Sequence, residues 1–130
     1  PNRFQYTDEQ LYKSNQIFKK IPKNFRKRWN SNFFKTKIYK PGILRMILAD
    51  PSEAINSESI MPSLNKMFDL IEEKPYGGNL LHLILKDISH RFINNNSETT
   101  ELLNYLFKQE DEFIKKHKVS DFMFCIYKNC

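Results

Sequence analysis

Hydrophobic residues recur along this chain at the spacing of amphipathic helices, and three blocks of the pattern occur twice in the same order. The apolar block ILRMIL after Gly42 matches LLHLIL after Gly78, the polar block NSES matches NSET, and LNKMF matches LNYLF. Each second copy follows the first by 37 to 40 residues. A period in this range is typical of stacked helical units, each of which buries its apolar face against a neighbour. The pattern therefore predicts two helix-pair units.

Capping and turn residues place the individual helices. Thr7 and Gln10 have the spacing of a capping box, in which each side chain satisfies a backbone group at the start of a helix. Pro and Gly residues at 41–42 and 75–78 predict the main breaks between helices. The predicted helices cover residues 8–20, 23–32, 43–49, 64–73, 80–92 and about 97–114. Residues 121–127 are too short and too uniformly apolar to assign, and they fit either a helix or an edge strand.

The predicted fold is one compact all-α domain of about six helices. Eighteen aromatic residues can supply a core without disulfides, and three glycines are few for a hairpin-rich β protein. Within each helix pair the apolar stripe should be buried, so Leu83 and Phe107 are expected in the core. The expected parts are a basic N-terminal element (1–41), two helix-pair units (42–77 and 78–118) and a truncated third unit or C-terminal segment (119–130).

The second of these units resembles an ankyrin repeat. Its sequence GGNLLHLILKD is similar to the G-x-T-P-L-H-x-A opening of that family, and the following ELLNYLFKQ looks like the second helix of such a repeat. The resemblance covers residues 78–111 well and residues 42–73 poorly. This chain lacks the Thr-Pro pair and has a longer period than the family. The resemblance implies stacked helix pairs, with His82 tying a turn to its neighbour.

Charge is distributed unevenly along the sequence. Residues 1–48 contain twelve basic and two acidic side chains, whereas residues 49–130 contain nine basic and thirteen acidic ones. A basic segment attracts nucleic acid, acidic proteins or anionic lipid, and interleaved aromatic rings can stack on unpaired bases. The candidate binding residues are Lys19, Lys20, Lys23, Arg26, Lys27, Arg28, Trp29, Lys35 and Lys37.

Two functions from different classes fit these observations. The favoured hypothesis is a non-enzymatic protein-interaction module of a regulatory or scaffold protein, whose partner presents an acidic surface. The alternative is a nucleic-acid-binding domain that uses residues 19–40. A third interpretation is a domain that caps the solenoid of a larger regulator. The basic face could instead be solvated and pack, through its aromatic rings, on the acidic remainder of the chain.

The sequence contains few residues arranged for chemistry. It has no phosphate-binding Gly-rich loop, nucleophile elbow or HExxH motif, so we predict neither an enzyme nor a cofactor. Cys125 and Cys130 are expected to be free, and the three histidines lack the spacing of zinc ligands, so no metal is predicted. Because no apolar run reaches 18 residues, no membrane span is expected. The expected location is intracellular, in the cytoplasm or nucleus.

Overall fold

A computed structural model describes residues 2–129 of the protein. This part of the chain forms five α-helices and one two-stranded antiparallel sheet, with short 3-10 turns between them. The all-α prediction is therefore wrong, and the fold is mixed α and β. The elements are α1 (Asp8–Phe18), α2 (Ile43–Ala49), α3 (Ile60–Met67), β1 (Phe68–Gly77), α4 (Leu81–Leu85), α5 (Ser97–His117) and β2 (Phe122–Asn129).

The sheet replaces the end of a predicted helix and removes the helical repeat. The predicted helix over residues 64–73 continues only to Met67, because the backbone from Phe68 onward pairs with β2 instead. The register runs from Phe68 opposite Asn129 to Gly77 opposite Phe122. Apolar residues at 64, 67, 68 and 71 fit a helical stripe, yet long-range pairing overrides such local preference. The segment that fitted either a helix or an edge strand is a strand.

The hydrophobic core lies entirely in one part of the molecule. We define the inner region as residues 2–41 and 78–117 and the outer region as residues 42–77 and 118–129. Every buried apolar side chain among the described residues belongs to the inner region. These core residues are Tyr6, Ile17, Phe18, Ile21, Phe25, Ile38, Leu80, Leu83, Ile84, Ile88, Phe92, Leu106 and Phe113.

Of the two residues predicted to lie in the core, one is buried there and the other is not. Leu83 is buried as expected, with 5% of its surface exposed. Phe107 was expected beside it but is 47% exposed. The buried stripe of α5 runs through Leu106, Glu110 and Phe113, which share one helical face, and Phe107 lies one residue away from that face.

The two apolar blocks that appeared equivalent in sequence have different environments. Both form helices, α2 in the first copy and α4 in the second. The predicted burial of residues 43–48 is wrong, because α2 contains no buried residue and Leu48 is 86% exposed. The predicted helix over residues 80–92 is also too long. It ends at Leu85, and Asp87 then adopts a positive φ of 69° before a 3-10 turn at Ser89–Phe92.

Local signals at the start of α1 and before α4 are confirmed. The Thr7 hydroxyl accepts from the Gln10 backbone N–H at 3.1 Å, and the Gln10 side chain accepts from the Thr7 N–H at 2.8 Å. The turn before α4 uses Gly77 and Gly78 at φ of 103° and 85°. A Cβ on Gly77 would lie 2.7 Å from Glu110 Oε1, so glycine is required there by both conformation and space.

Candidate functional site

The nine predicted binding residues do not lie on one face. Two of them, Arg26 and Lys35, point into the protein. Lys19, Lys20 and Lys23 lie at and after the end of α1. The remaining residues line two cavities, and they are Lys27, Arg28, Trp29 and Lys37.

Lys35 holds the carboxyl end of α4. Its side chain is buried, and its ammonium group donates to the carbonyl oxygens of Leu83 at 2.8 Å, Ile84 at 3.1 Å and Lys86 at 2.8 Å. A cation at this end of a helix compensates carbonyls that lack helical partners. Burial lowers the pKa of Lys35 to about 8. Lys35 therefore supports the fold and presents no charge at the surface.

Glu110 holds the opposite end of the same helix. Its buried carboxylate accepts from the backbone N–H groups of Asn79 at 2.8 Å, Leu80 at 2.8 Å and Leu81 at 3.1 Å. Sequence reasoning did not identify this residue, because it belongs to the acidic run at residues 110–112, and such runs usually lie in solvent. The available signal was its position four residues after Leu106 and three before Phe113, on the apolar face of α5.

The other cations near α1 are also engaged within the molecule. Arg26 donates to the carbonyl oxygens of Ile21 at 2.7 Å and Lys19 at 3.0 Å, so it satisfies backbone groups just after α1. The Lys20 ammonium lies 5.5 Å from the centre of the Tyr105 ring, and that of Lys23 lies 5.3 Å from the Phe34 ring. These contacts leave Lys20 and Lys23 exposed but tie them to rings of the same chain.

A short hairpin at residues 27–34 carries several exposed basic and aromatic residues. Where a helix was predicted over residues 23–32, the chain forms a 3-10 turn at Lys23–Arg26 and then doubles back. Lys27 bridges Phe34, and the Arg28 N–H donates to the Phe33 carbonyl at 3.1 Å. The Trp29 N–H donates to the Asp87 carbonyl at 2.9 Å, which fixes the hairpin against the loop after α4.

A smaller cavity of about 410 Å³ lies beside the hairpin tip. The residues that give it charge and aromatic character are Lys27, Arg28, Trp29, His90 and Arg91. Trp29 is 64% exposed, and its ring lies edge-on to His90 with centroids 5.0 Å apart. No acidic residue lines this cavity within the described chain.

A larger cavity of about 920 Å³ lies between residues 37–49 and α4. It also contains Arg28, together with the cations Lys37, Arg45 and Lys86 and the acids Glu53 and Asp87. His82 lines its wall with its ring centre 6.2 Å from those of Phe4 and Tyr6. Burial lowers the pKa of His82, so at neutral pH it contributes a neutral ring.

Neither a metal-ligand cluster nor a membrane-spanning helix is found among residues 2–129. Within residues 2–129, no three His, Cys, Asp or Glu side chains are grouped as metal ligands would be. Cys125 is half-buried with its sulfur 3.8 Å from that of Met61, and Cys130 lies outside the described residues. None of the described helices is long and apolar enough to cross a membrane.

Comparison with known proteins finds no family model, no curated protein and no solved structure that matches this chain. These comparisons therefore neither support nor contradict the resemblance of residues 78–111 to ankyrin repeats. Function has to be inferred from the surfaces of the molecule itself.

Proposed function

We propose that this protein is a non-enzymatic interaction module that associates through the free edge of β2, and that the strand it pairs with is β2 of a second copy. The observation that carries this proposal is the difference between the two edges of the sheet. An exposed strand edge presents unpaired N–H and C=O groups that can pair with another chain. Proteins usually protect such edges with charges, proline or bulges.

The outer edge of β1 has all three forms of protection. Its register with β2 skips Ile71 and Tyr76, which form bulges, and it contains Pro75. It also carries the charged residues Asp69, Glu72, Glu73 and Lys74. A second strand would meet interrupted hydrogen bonding and a net negative charge along this edge.

The outer edge of β2 has no such protection. Its register is continuous from Phe122 to Asn129, and Lys128 is its one charged residue. Alternate side chains at Phe122, Phe124 and Ile126 lie on one face and are exposed. A regular edge with a single charge near its end and an apolar face is the kind to which a partner strand adds.

The sequence of β2 is compatible with antiparallel pairing to itself. A twofold axis at Cys125 would place Phe124 opposite Ile126 of the second copy and Lys128 opposite Phe122. The central pairs would then be apolar, each lysine would lie opposite a phenylalanine, and the two lysines would lie at opposite ends of the interface. Such cross-strand pairs are favourable, whereas like charges directly opposite each other are not.

Charge at the scale of the whole molecule favours the same contact. In the outer region three basic and six acidic side chains lie in residues 42–77, and two basic and one acidic lie in residues 118–129, a net charge of −2. The remaining residues carry +8, which completes the total of +6. Association through β2 joins nearly neutral regions and avoids bringing the strongly basic inner regions into direct contact.

Sedimentation over a range of concentrations tests this proposal. The wild type should form dimers, and Phe124→Lys should remain monomeric, because it places a charge in the centre of the pairing edge. Ile71→Lys is the matched control on the protected edge and should still dimerise. Thermal unfolding of each variant establishes that it is folded. A wild type that stays monomeric, or loss of dimers in both variants alike, would contradict pairing through β2.

A further inference from the structure

We infer that the two cavities that share Arg28 form one binding surface for single-stranded nucleic acid. The hairpin of residues 27–34, which contains Arg28, is fixed in place by the Trp29 backbone contact and by the buried ammonium of Lys35. Arg28 lines both cavities, so the two concave surfaces meet at its side chain. This surface differs from the predicted segment 19–40, because it combines the hairpin with Arg45 of α2 and with Lys86 and Arg91 after α4.

The surface carries positive charge that the protein does not neutralise. Its exposed cations without an acidic partner at salt-bridge distance, within the described chain, are Lys27, Arg28, Lys37, Arg45, Lys86 and Arg91. Lys40, which also lines the larger cavity, pairs with Asp8 at 2.8 Å. The acidic residues on the surface are Glu53 and Asp87. Phosphate groups would replace the missing partners and release counterions on binding.

Exposed rings lie among these cations. Trp29 is largely exposed at the smaller cavity, and Tyr39 and Tyr76 are exposed at the larger one. Aromatic faces next to cations are the combination on which unpaired bases stack while phosphates are neutralised. A duplex keeps its base faces hidden, so the exposed rings favour a single strand. An acidic protein would form ion pairs with the cations, but it has no bases to stack on the rings.

The chain contains one tryptophan, and it lies on this surface, so its fluorescence reports base stacking directly. Oligo(dT) and oligo(U) of about twelve nucleotides, within the roughly 4–16 nucleotides that single-strand sites cover, are suitable probes. Both should quench Trp29 and bind saturably with micromolar or better affinity. A preference for one over the other would distinguish DNA from RNA.

Salt dependence and one pair of variants locate the site. With about four phosphate contacts, affinity should fall about 50-fold between about 50 mM and about 200 mM salt. Arg28→Glu should weaken binding at least about tenfold, because it reverses the charge shared by both cavities. Lys108→Glu makes the same charge change on α5, outside both cavities, and should alter affinity by less than about twofold. The thermal midpoint of each variant should match the wild type.

Three outcomes would overturn the inference. One is the absence of saturable binding by either oligonucleotide at low salt. Another is equal weakening by Arg28→Glu and Lys108→Glu, which would indicate general attraction to a basic protein. The third is displacement of the oligonucleotide by poly-glutamate of equal charge as effectively as by unlabelled oligonucleotide. That result would assign the surface to an acidic protein instead.

Discussion

The helices α2 and α4 show how similar sequences receive different environments in the inner and outer regions. Both are short and rich in Leu and Ile, and their apolar blocks align in the sequence. Yet α4 contributes Leu83 and Ile84 to the core, whereas α2 contributes nothing. The difference lies in what meets their ends. Only α4 has a buried carboxylate from α5 at its start and a buried ammonium at its end.

This comparison shows that burial of a short helix depends on partners that satisfy its backbone. A five-residue helix leaves most of its terminal N–H and C=O groups without helical partners, and burying them unpaired is costly. Glu110 and Lys35 remove that cost for α4. Without equivalent groups α2 remains at the surface, where water can satisfy its ends.

The largest effect on stability is expected from removing the Glu110 carboxylate at the start of α4. Glu110→Ala leaves three backbone N–H groups without their acceptor in a buried site, and it should lower the free energy of unfolding by about 3–5 kcal/mol. Asp111→Ala removes an exposed carboxylate from the next position of α5 and serves as control, with an expected change within about 0.5 kcal/mol. Urea unfolding measures both. Similar losses for the two variants would contradict the role of Glu110.

A second pair of variants compares the inner and outer regions by making the same substitution, leucine to alanine, in each. Leu83→Ala creates a cavity in the core and should cost about 2–5 kcal/mol. Leu48→Ala truncates the same side chain on α2, where it is exposed, and should change stability by less than about 0.5 kcal/mol. Thermal or urea unfolding at a concentration where the protein is monomeric provides the measurement. A costly Leu48→Ala would mean that α2 packs in the monomer.

The smallest effect concerns the charge of Lys35. Because burial lowers the pKa of Lys35 to about 8 from its usual 10.5, the unfolded chain binds more protons between these pH values. The stability of the wild type relative to Lys35→Met should therefore rise as pH increases from 8 toward 10.5. Lys37→Met, which removes an exposed lysine, is the matched control for the loss of one positive charge. A falling difference for Lys35→Met would show that the carbonyl oxygens outweigh burial.

The sequence could predict features that depend on neighbouring residues. The Thr7 capping box, the glycine turn before α4 and the long helix α5 are local, and each was predicted. The pairing of β1 with β2 joins segments some fifty residues apart, and nothing in FDLIEEKPYG alone distinguishes a strand from a helical stripe. The predicted repeat failed for a similar reason. Its first copy has the apolar residues of a buried helix, but the fold buries none of them.

The candidate sites were predictable to a smaller extent. The basic segment was evident from charge, but the inward direction of Arg26 and Lys35 depends on carbonyl groups that only the fold brings near them. The contributions of Arg45, Lys86 and Arg91 to the cavities come from segments distant in sequence. Their positions could not follow from the run of lysines and arginines in residues 19–37.

Hydrogen exchange at two protein concentrations tests the division into regions most directly. At low concentration the amides of α4 and α5 should exchange only through global unfolding, whereas those of α2 and the outer edge of β2 should exchange rapidly. At roughly hundredfold higher concentration β2 should gain protection as dimers form. The protection of α4 should rise only by the amount that dimer formation adds to the global stability. Equal protection of both regions at low concentration, or no gain in β2, would contradict an inner region that carries the fold and an outer region that carries the contact.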